Sequence, residues 1–171
     1  MAMVVTVREA TADDVESWAD VMSAVAAEGK WIGLEAPVDR NMISGHFLER
    51  VDADDGVTFL AAGDGSIVGT LGLQIHHGIA DLGMCVADGW RGRGVGSALM
   101  VAAVDWSRAH GAHKIALQHW PHNHAAHALY ERFGFVTEGR LIRQWRRHNG
   151  ELWDAIVMGL VLDDDSPGSP F

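Results

Sequence analysis

Residues 86–99 read VADGWRGRGVGSAL, with arginines and glycines alternating from position 91 to position 94 and a further glycine at 96. The residues before this segment predict a strand over Ile79–Val86. Apolar residues spaced three to four positions apart after it predict a helix over residues 95–110. Glycines at such a junction let the backbone approach a ligand closely and leave several N–H groups pointing outward. The segment is therefore predicted to be a ligand-binding turn between a strand and a helix.

This turn favours an anionic ligand. The start of the helix carries partial positive charge, outward N–H groups bind phosphate or pyrophosphate, and Arg91 and Arg93 add two cations. Neither common nucleotide motif fits, because the third glycine of G-x-G-x-x-G is replaced by Ser97 or Leu99 and no Gly-Lys pair of a P-loop occurs. A plain helix-capping turn would explain two glycines better than three glycines with two arginines. We therefore predict a phosphate-binding loop of another type.

The rest of the chain predicts a mixed sheet with helices on both faces. Hairpin-linked strands in the middle of the chain are followed by a strand–helix–strand unit, which combines antiparallel and parallel pairing. Further strands are predicted at residues 4–8, 58–62, 66–76, 114–120, 135–145 and 152–162, and further helices after a Thr11–Asp14 capping pair and at residues 38–51 and 123–132.

Size and charge narrow the class of function. The 171 residues suit one domain, and 48% hydrophobic with 21% charged residues is an ordinary globular composition. With 13 basic and 23 acidic residues the net charge is −10, so a nucleic acid is not expected as a partner. A cationic substrate such as an amine is compatible with that sign. The local run of Arg140, Arg143, Arg146 and Arg147 is interpreted as a solvated face.

The single cysteine, Cys85, excludes a disulfide framework and a multi-cysteine zinc site. A cytoplasmic location is expected, because no signal peptide and no apolar stretch of ~20 residues is recognised, and no membrane contact is expected. Cys85 is interpreted as a small buried residue and not as a nucleophile. No metal is expected, because His119, His122, His124 and His127 do not make a complete ligand set.

Two segments together carry a family resemblance. The RGRGVG sequence of residues 91–96 resembles the R/Q-x-x-G-x-G/A acetyl-CoA motif of the GNAT superfamily of N-acetyltransferases. The NHAAHALYERFGF sequence of residues 123–135 is similar to the N-x-x-A-x-x-L-Y-x-x-x-G-F segment of the same family. The two motifs stand in the family's order, with a helix and a strand between them.

The resemblance implies a fold and a binding site. The fold would be a GNAT-type α/β (α+β) domain over residues 1–162, with a mixed, mostly antiparallel sheet of about seven strands, about four helices and one splayed strand pair. Residues 163–171 would be a flexible acidic tail. Acetyl-CoA, as a co-substrate, would lie between Ile79–Val86 and the strand at 114–120. The implied acetyl-CoA-binding residues are Met84, Cys85, Val86, Arg91, Gly92, Arg93, Gly94, Val95, Gly96, Ser97, Asn123 and Tyr130.

The implied reaction is direct attack of a primary amine on the thioester in a ternary complex. Tyr130, the only tyrosine, stands at the family's acid position, although it could also be a core aromatic. A phenol is a suitable proton donor to the departing thiolate. Several residues could be the general base, and Glu35 and Asp81 are preferred over Glu28 and His119. The resemblance also places Trp31 and Glu35 beside the acceptor, although Trp31 could equally be a packing anchor.

Several alternatives stay open from the sequence. The acceptor could be a small molecule, an amino acid, a polyamine or a protein N-terminus, and the acyl group could be longer than acetyl. A CoA-binding regulatory or interaction module without turnover is the alternative of another class. A homodimer formed through the last two strands is possible on the resemblance.

Overall fold

The computed structural model of the protein describes residues 5–163, which contain seven strands, four α-helices and one short 3₁₀ helix. The strands are β1 Thr6–Glu9, β2 Gly56–Gly63, β3 Ser66–His76, β4 Ile79–Val86, β5 Lys114–His119, β6 Val136–Arg146 and β7 Leu152–Val161. The helices are α1 Val15–Ala27, α2 Arg40–Asp52, α3 Val95–Ala109 and α4 His124–Arg132, with the 3₁₀ helix at Ala12–Asp14.

Local capping explains where several elements begin. Thr11 and Asp14 form the predicted capping box at the 3₁₀ helix. Helix α2 begins two residues later than predicted, because the Asp39 carboxylate accepts the Met42 N–H at 3.1 Å and so takes the capping position. The Asn123 side chain caps α4 in the same way.

All seven strands form one sheet in the order β1-β2-β3-β4-β5-β7-β6. Every neighbouring pair is antiparallel except β4 and β5, which are parallel. The parallel pair follows from the connection through α3, since parallel neighbours need a crossover. The predicted mixed, mostly antiparallel sheet with four flanking helices is confirmed.

The parallel pair separates halfway along its length. Pairing between β4 and β5 runs only from Ile79 with Lys114 to Leu82 with Leu117. Beyond that point β4 pairs only with β3, and β5 pairs only with β7. The predicted splayed pair is confirmed, and it opens a V-shaped gap in the middle of the sheet.

Helices cover both faces of the sheet. Leu99 and Met100 of α3 are fully buried on one face, where α4 also packs. On the other face Trp18 of α1 and Phe47 of α2 meet over the sheet, with 4.8 Å between their ring centroids. The gap between β4 and β5 therefore has a helix-covered core on each side of it.

A buried arginine joins two loops on the α1–α2 face. Arg147, 4% exposed, lies 4.5 Å from the ring centroid of Trp153 and 5.3 Å from that of Trp120. Its Nη1 donates to the Gly33 carbonyl at 3.1 Å. The interpretation of Arg147 as part of a solvated face is therefore wrong, because the turn after β6 folds this side chain inward between two indoles.

The predicted tail, residues 163–171, lies outside the described residues except for Asp163. Within residues 5–163, no helix has the length and apolar composition needed to cross a membrane.

Candidate active site

The gap between β4 and β5 widens into a cleft of about 1270 Å³. Its walls come from α1, the α1–α2 loop, the glycine turn, α4 and the splayed strands. Most of the predicted site residues line it, namely Trp31, Asp81, Met84, Cys85, Val86, Arg91, Gly92, Gly94, Gly96, Ser97, Asn123 and Tyr130. Glu35, Arg93 and Val95 are not part of the cleft lining.

The free edge of β4 offers backbone hydrogen-bonding groups to the cleft. Alternate residues of a strand direct their N–H and C=O groups to opposite neighbours. From Gly83 to Val86 only β3 is a neighbour, so every second residue presents both groups to the gap. Buried backbone groups without partners are costly, and a ligand with amides in an extended chain would satisfy them.

Three glycines of the turn serve two different purposes. Gly92 and Gly94 have φ of +71° and +84°, which L side chains rarely adopt. Gly94 is the N-cap of α3 and provides no side-chain cap, so the first N–H groups of the helix are open to a ligand. Gly96 lies in a packed position, because a Cβ there would be 2.9 Å from Leu129 Cδ2 and 3.1 Å from Met84 Cε, and the ends of these two flexible side chains would have to shift.

Arg91 holds the turn in place. Its Nε donates to the Val86 carbonyl at 2.9 Å, and its Nη atoms contact both Glu28 oxygens at 2.8 and 2.5 Å. The hydrogen bonds from Arg91 lower the pKa of Glu28, and those to Glu28 raise the pKa of Arg91. The structure therefore uses this guanidinium to tie the turn to the end of α1, and Glu28, an alternative base, is ion-paired.

Trp31 is fixed by the same pair. Its indole Nε1 donates to Glu28 Oε2 at 2.6 Å, and the Arg91 guanidinium lies 5.2 Å from its ring centroid. Trp31 therefore forms a rigid wall of the cleft at the point where the α1–α2 loop meets the glycine turn.

Arg93 and Val95 lie outside the cleft for different reasons. Arg93 is exposed, with its guanidinium 5.9 Å from the ring centroid of Trp90. The Val95 side chain is buried in the core beneath α3. A ligand in the turn could reach Val95 only through its backbone N–H.

Tyr130 lies at the bottom of the cleft and is 5% exposed. Its ring packs 5.8 Å from Phe135 and 6.0 Å from His119, measured between centroids. Burial raises the pKa of the Tyr130 hydroxyl well above its usual value, because the phenolate would be poorly solvated there. The hydroxyl is therefore held in its protonated, hydrogen-bond-donating form.

Asn123 both caps helix α4 and lines the cleft. Its side-chain oxygen accepts the Ala126 N–H at 3.2 Å. The amide NH₂ group stays available as a donor at the cleft wall.

Of the two preferred bases, only Asp81 lies in the cleft. Asp81 is exposed on β4 between Gln74 of β3 and Ala116 of β5, and its carboxylate has no hydrogen-bond or ion-pair partner among residues 5–163. The Glu35 carboxylate instead accepts the His148 N–H at 3.1 and 3.2 Å and contacts Arg147 Nε at 3.3 Å. The expectation that Glu35 faces the acceptor is therefore corrected: it holds the β6–β7 turn.

The alternative base His119 has both ring nitrogens occupied. His119 Nδ1 is 2.9 Å from the Trp120 carbonyl, and its Nε2 is 3.0 Å from His127 Nδ1. Burial lowers the pKa of His119. His127 in turn lies 3.3 Å from Glu131, so the pair forms a hydrogen-bonded chain that ends at the surface.

The sequence did not single out Arg50, which lines the cleft on the side of α2. Its guanidinium lies directly over Gly72 of β3. In the sequence, Arg50 is one of several charged residues of a predicted helix, and no spacing or motif distinguishes it from the charged residues that are exposed to solvent.

Comparisons with known proteins agree with this architecture. The profile of the acetyltransferase (GNAT) family matches residues 18–135. The chain is 33% identical over 123 residues to the L-amino acid N-acetyltransferase AaaT of Escherichia coli K12, covering 66% of this chain and 74% of the relative. It is 27% identical over 147 residues to an aminoglycoside N(6')-acetyltransferase type 1 of Stenotrophomonas maltophilia, covering 80% and 90%.

The fold is also shared with solved structures. The yncA protein of Salmonella typhimurium, solved with its cofactor acetyl-CoA, superposes with a TM-score of 0.83 over 98% of this chain and 99% of the other, at 18% identity. The family profile spans more than half of the chain, and both motifs noted in the sequence border the cleft. The chain therefore belongs to the GNAT family and is an N-acetyltransferase.

Proposed function

We propose that the cleft binds acetyl-CoA and transfers its acetyl group to the primary amine of a small molecule. The observation that carries this proposal is the end of the β4–β5 pairing at Leu82 and Leu117, beside a helix whose N-terminus has no side-chain cap. One free strand edge and one open helix start lie on the same cleft. That combination suits a ligand with an amide-containing arm and a diphosphate.

The residues present fit acetyl-CoA. The free edge from Gly83 to Val86 would pair with the amides of the pantetheine arm. The N–H groups of the turn and of the first turn of α3 would bind the diphosphate, and the Asn123 amide would donate to the arm. When bound, acetyl-CoA supplies an activated thioester carbonyl.

Asp81 is the proposed base. A primary alkyl amine has a pKa near 10.4, so it enters mostly charged and must lose a proton before it attacks. Asp81 is the base candidate in the cleft whose carboxylate has no partner among the described residues. Its carboxylate can take that proton through a water molecule. The amine nitrogen then forms the new N–C bond while a free N–H of β4 polarises the thioester carbonyl.

Tyr130 is proposed to stabilise the leaving group. When the C–S bond breaks, the sulfur leaves as a thiolate whose conjugate thiol has a pKa near 8.5. Burial raises the pKa of Tyr130, so the phenol holds its proton more tightly than the thiol does. Tyr130 therefore acts by donating a hydrogen bond to the thiolate, and the thiolate takes its proton from water on release.

The test is acetyl-CoA-dependent thiol release with a panel of amines, followed by mass spectrometry of the product. We expect an acetylated amine, and we expect Tyr130→Phe to lower kcat by about 10²–10³-fold, the effect of losing one hydrogen-bond donor to a developing anion, while the affinity for CoA changes little. Phe133→Leu serves as a control, since it alters a neighbouring aromatic of the same segment without removing a hydroxyl. A protein that binds CoA but acetylates no amine would be the binding module without turnover, and an unchanged kcat in Tyr130→Phe would remove this role.

A further inference from the structure

A half-buried cation that lines the cleft has no hydrogen-bond or ion-pair partner among residues 5–163. Arg50 of α2 lines the cleft, and its Nε is buried without a hydrogen bond. No hydrogen bond or ion pair to its guanidinium occurs among residues 5–163. Burial alone lowers the pKa of Arg50, with no neighbouring carboxylate acting against it. An arginine that is partly desolvated and unpaired is costly, which points to a ligand that pairs with it.

The guanidinium lies over Gly72, next to the open space at Gly83. A Cβ at Gly72 would be 2.7 Å from Arg50 Nη1. Gly72 pairs with Gly83 of β4, where a Cβ would meet nothing within 4 Å. Gly83 is also the first β4 residue beyond the pairing with β5. Arg50 therefore reaches the cleft where the two strands begin to separate, next to open space.

Asp81 faces the same space from the neighbouring strand. It precedes Gly83 by two residues, so both lie on one face of the sheet, and it is diagonal to Gly72. Diagonal neighbours across antiparallel strands are about 7–8 Å apart. Arg50, which lies over Gly72, and Asp81 form no ion pair with each other. A small molecule that carries both an anionic and a cationic group can pair with both side chains.

Apolar side chains line part of this space, beside the polar Thr70 and Gln74 of β3. Trp18 and Met22 of α1 and Leu34 of the α1–α2 loop line the cleft on this side. The space therefore combines a cation, an anion and an apolar wall. A zwitterion with an apolar side chain matches all three.

We propose that Arg50 binds the carboxylate of the acceptor, so that the acceptor is an α-amino acid with an apolar side chain. The planar guanidinium fits a carboxylate with two parallel hydrogen bonds. The amino group of the same molecule is then directed toward Asp81. This inference rests on the proposed function, because it names the acceptor class of the same cleft.

The first test compares three acceptors that differ only in the carboxylate: L-leucine, L-leucinamide and 3-methylbutylamine. The variant is Arg50→Met, which keeps a long unbranched side chain over Gly72. The matched control is Arg40→Met, which removes the same charge from the same helix at a surface ion pair with Glu16 and Asp20.

We expect the wild-type enzyme to prefer L-leucine over both other acceptors. Arg50→Met should lower kcat/KM for L-leucine about 10- to 100-fold, the effect of losing a charged hydrogen bond. The same variant should leave kcat/KM for L-leucinamide and the affinity for CoA nearly unchanged, and Arg40→Met should change none of these. Equal wild-type rates on acid and amide, or an equal loss on both in Arg50→Met, would overturn the proposal.

A second test does not depend on turnover. Calorimetry measures binding of N-acetyl-L-leucine and N-acetyl-L-leucinamide, which represent the acetylated products. We expect the acid to bind more tightly than the amide, and we expect Arg50→Met to abolish that difference. If no amine is acetylated but this difference depends on Arg50, the proposed transferase function fails and the carboxylate site stands. If amines are acetylated but neither acid nor amide binding responds to Arg50, the carboxylate site fails and the transferase function stands.

Discussion

The contact between Glu28 and Arg91 makes a sharp prediction about how the glycine turn works. The arginine of such a turn would be expected to bind phosphate directly. Here its guanidinium contacts both Glu28 oxygens and its Nε donates to the Val86 carbonyl. If this contact shapes the turn, removing it should weaken acetyl-CoA binding. If Arg91 is instead a phosphate ligand that Glu28 restrains, removing Glu28 should strengthen binding.

The perturbation is Glu28→Gln, which keeps the shape of the side chain and removes its charge. The two side chains are 23% and 33% exposed, so solvent screens part of their attraction. We expect a loss of about 1–2 kcal/mol in the free energy of unfolding, below the full value of two charge-assisted hydrogen bonds. For a chain of this length, that lowers Tm by about 2–4 °C per kcal/mol.

The matched control is Asp88→Asn. Asp88 also lies near Arg91, at 3.7 Å, but its side chain is 88% exposed. Removing its charge should change Tm by little, because exposed ion pairs contribute little. Scanning fluorimetry gives Tm, and steady-state kinetics gives the KM for acetyl-CoA. We expect Glu28→Gln to raise this KM about 5- to 10-fold, roughly 1–1.4 kcal/mol, with kcat nearly unchanged.

The pH dependence follows from the lowered pKa of Glu28, which the hydrogen bonds from Arg91 cause. A carboxylate whose folded pKa is below its unfolded value stabilises the protein above the unfolded pKa of about 4.3, and this stabilisation is lost as the pH falls through the folded pKa. The Tm difference between wild type and Glu28→Gln should therefore be full at pH 6–7 and shrink below pH 4. A KM that falls in Glu28→Gln would refute the assignment of Arg91 to the turn.

Two further predictions concern the turn and the strand beside it. Gly94→Ala places a side chain at φ +84° in open space, so we expect about 1–2 kcal/mol of backbone strain and a raised KM for acetyl-CoA. The control variant Gly65→Ala, at φ +79° in the β2–β3 turn, should lose similar stability without a change in KM. Equal KM values in both variants would contradict the role of Gly94. Burial raises the pKa of the Cys85 thiol to about 12. Only the thiolate reacts with alkylating reagents, so a thiol well below its pKa reacts very slowly. Iodoacetamide at pH 8 should therefore leave native Cys85 unmodified and label it in denaturant, as read by mass spectrometry, whereas rapid native labelling would show that the thiol is accessible.

Local sequence signals predicted the elements of the fold. The strand Ile79–Val86 has the same bounds in prediction and structure, and α3 differs from its prediction by one residue. Such signals depend on residues close in the chain: periodicity, caps and turn glycines act within one helix or strand. Where an element did shift, as at the start of α2, a neighbouring side chain took the cap.

The motifs also located the cleft, since residues 91–97 and Asn123 and Tyr130 all border it except for Arg93 and Val95. The spacing of these residues predicts the backbone conformation of the turn and the position of the helices, because both depend on residues close together in the chain. The sequence favoured a cationic acceptor from the net charge of −10. The cleft itself contains the cation of Arg50 as well as the carboxylate of Asp81. Net charge did not predict this, because it sums the charges of the whole chain and does not describe one site.

The roles of individual charged residues were decided by tertiary packing. Arg147 and Glu35 are separated by more than a hundred positions, yet they meet at 3.3 Å, and Glu28 reaches Arg91 across 63 positions. A charged side chain in the sequence shows only that a charge is present. Whether it is solvated, paired or left open to a ligand depends on which distant elements pack around it, because burial and neighbouring charges set the cost of leaving it unpaired. The sequence by itself thus determined the elements, their order and the binding turn, whereas packing decided that Glu35 is structural, that Arg147 is buried and that Arg50 lines the cleft without a partner among the described residues.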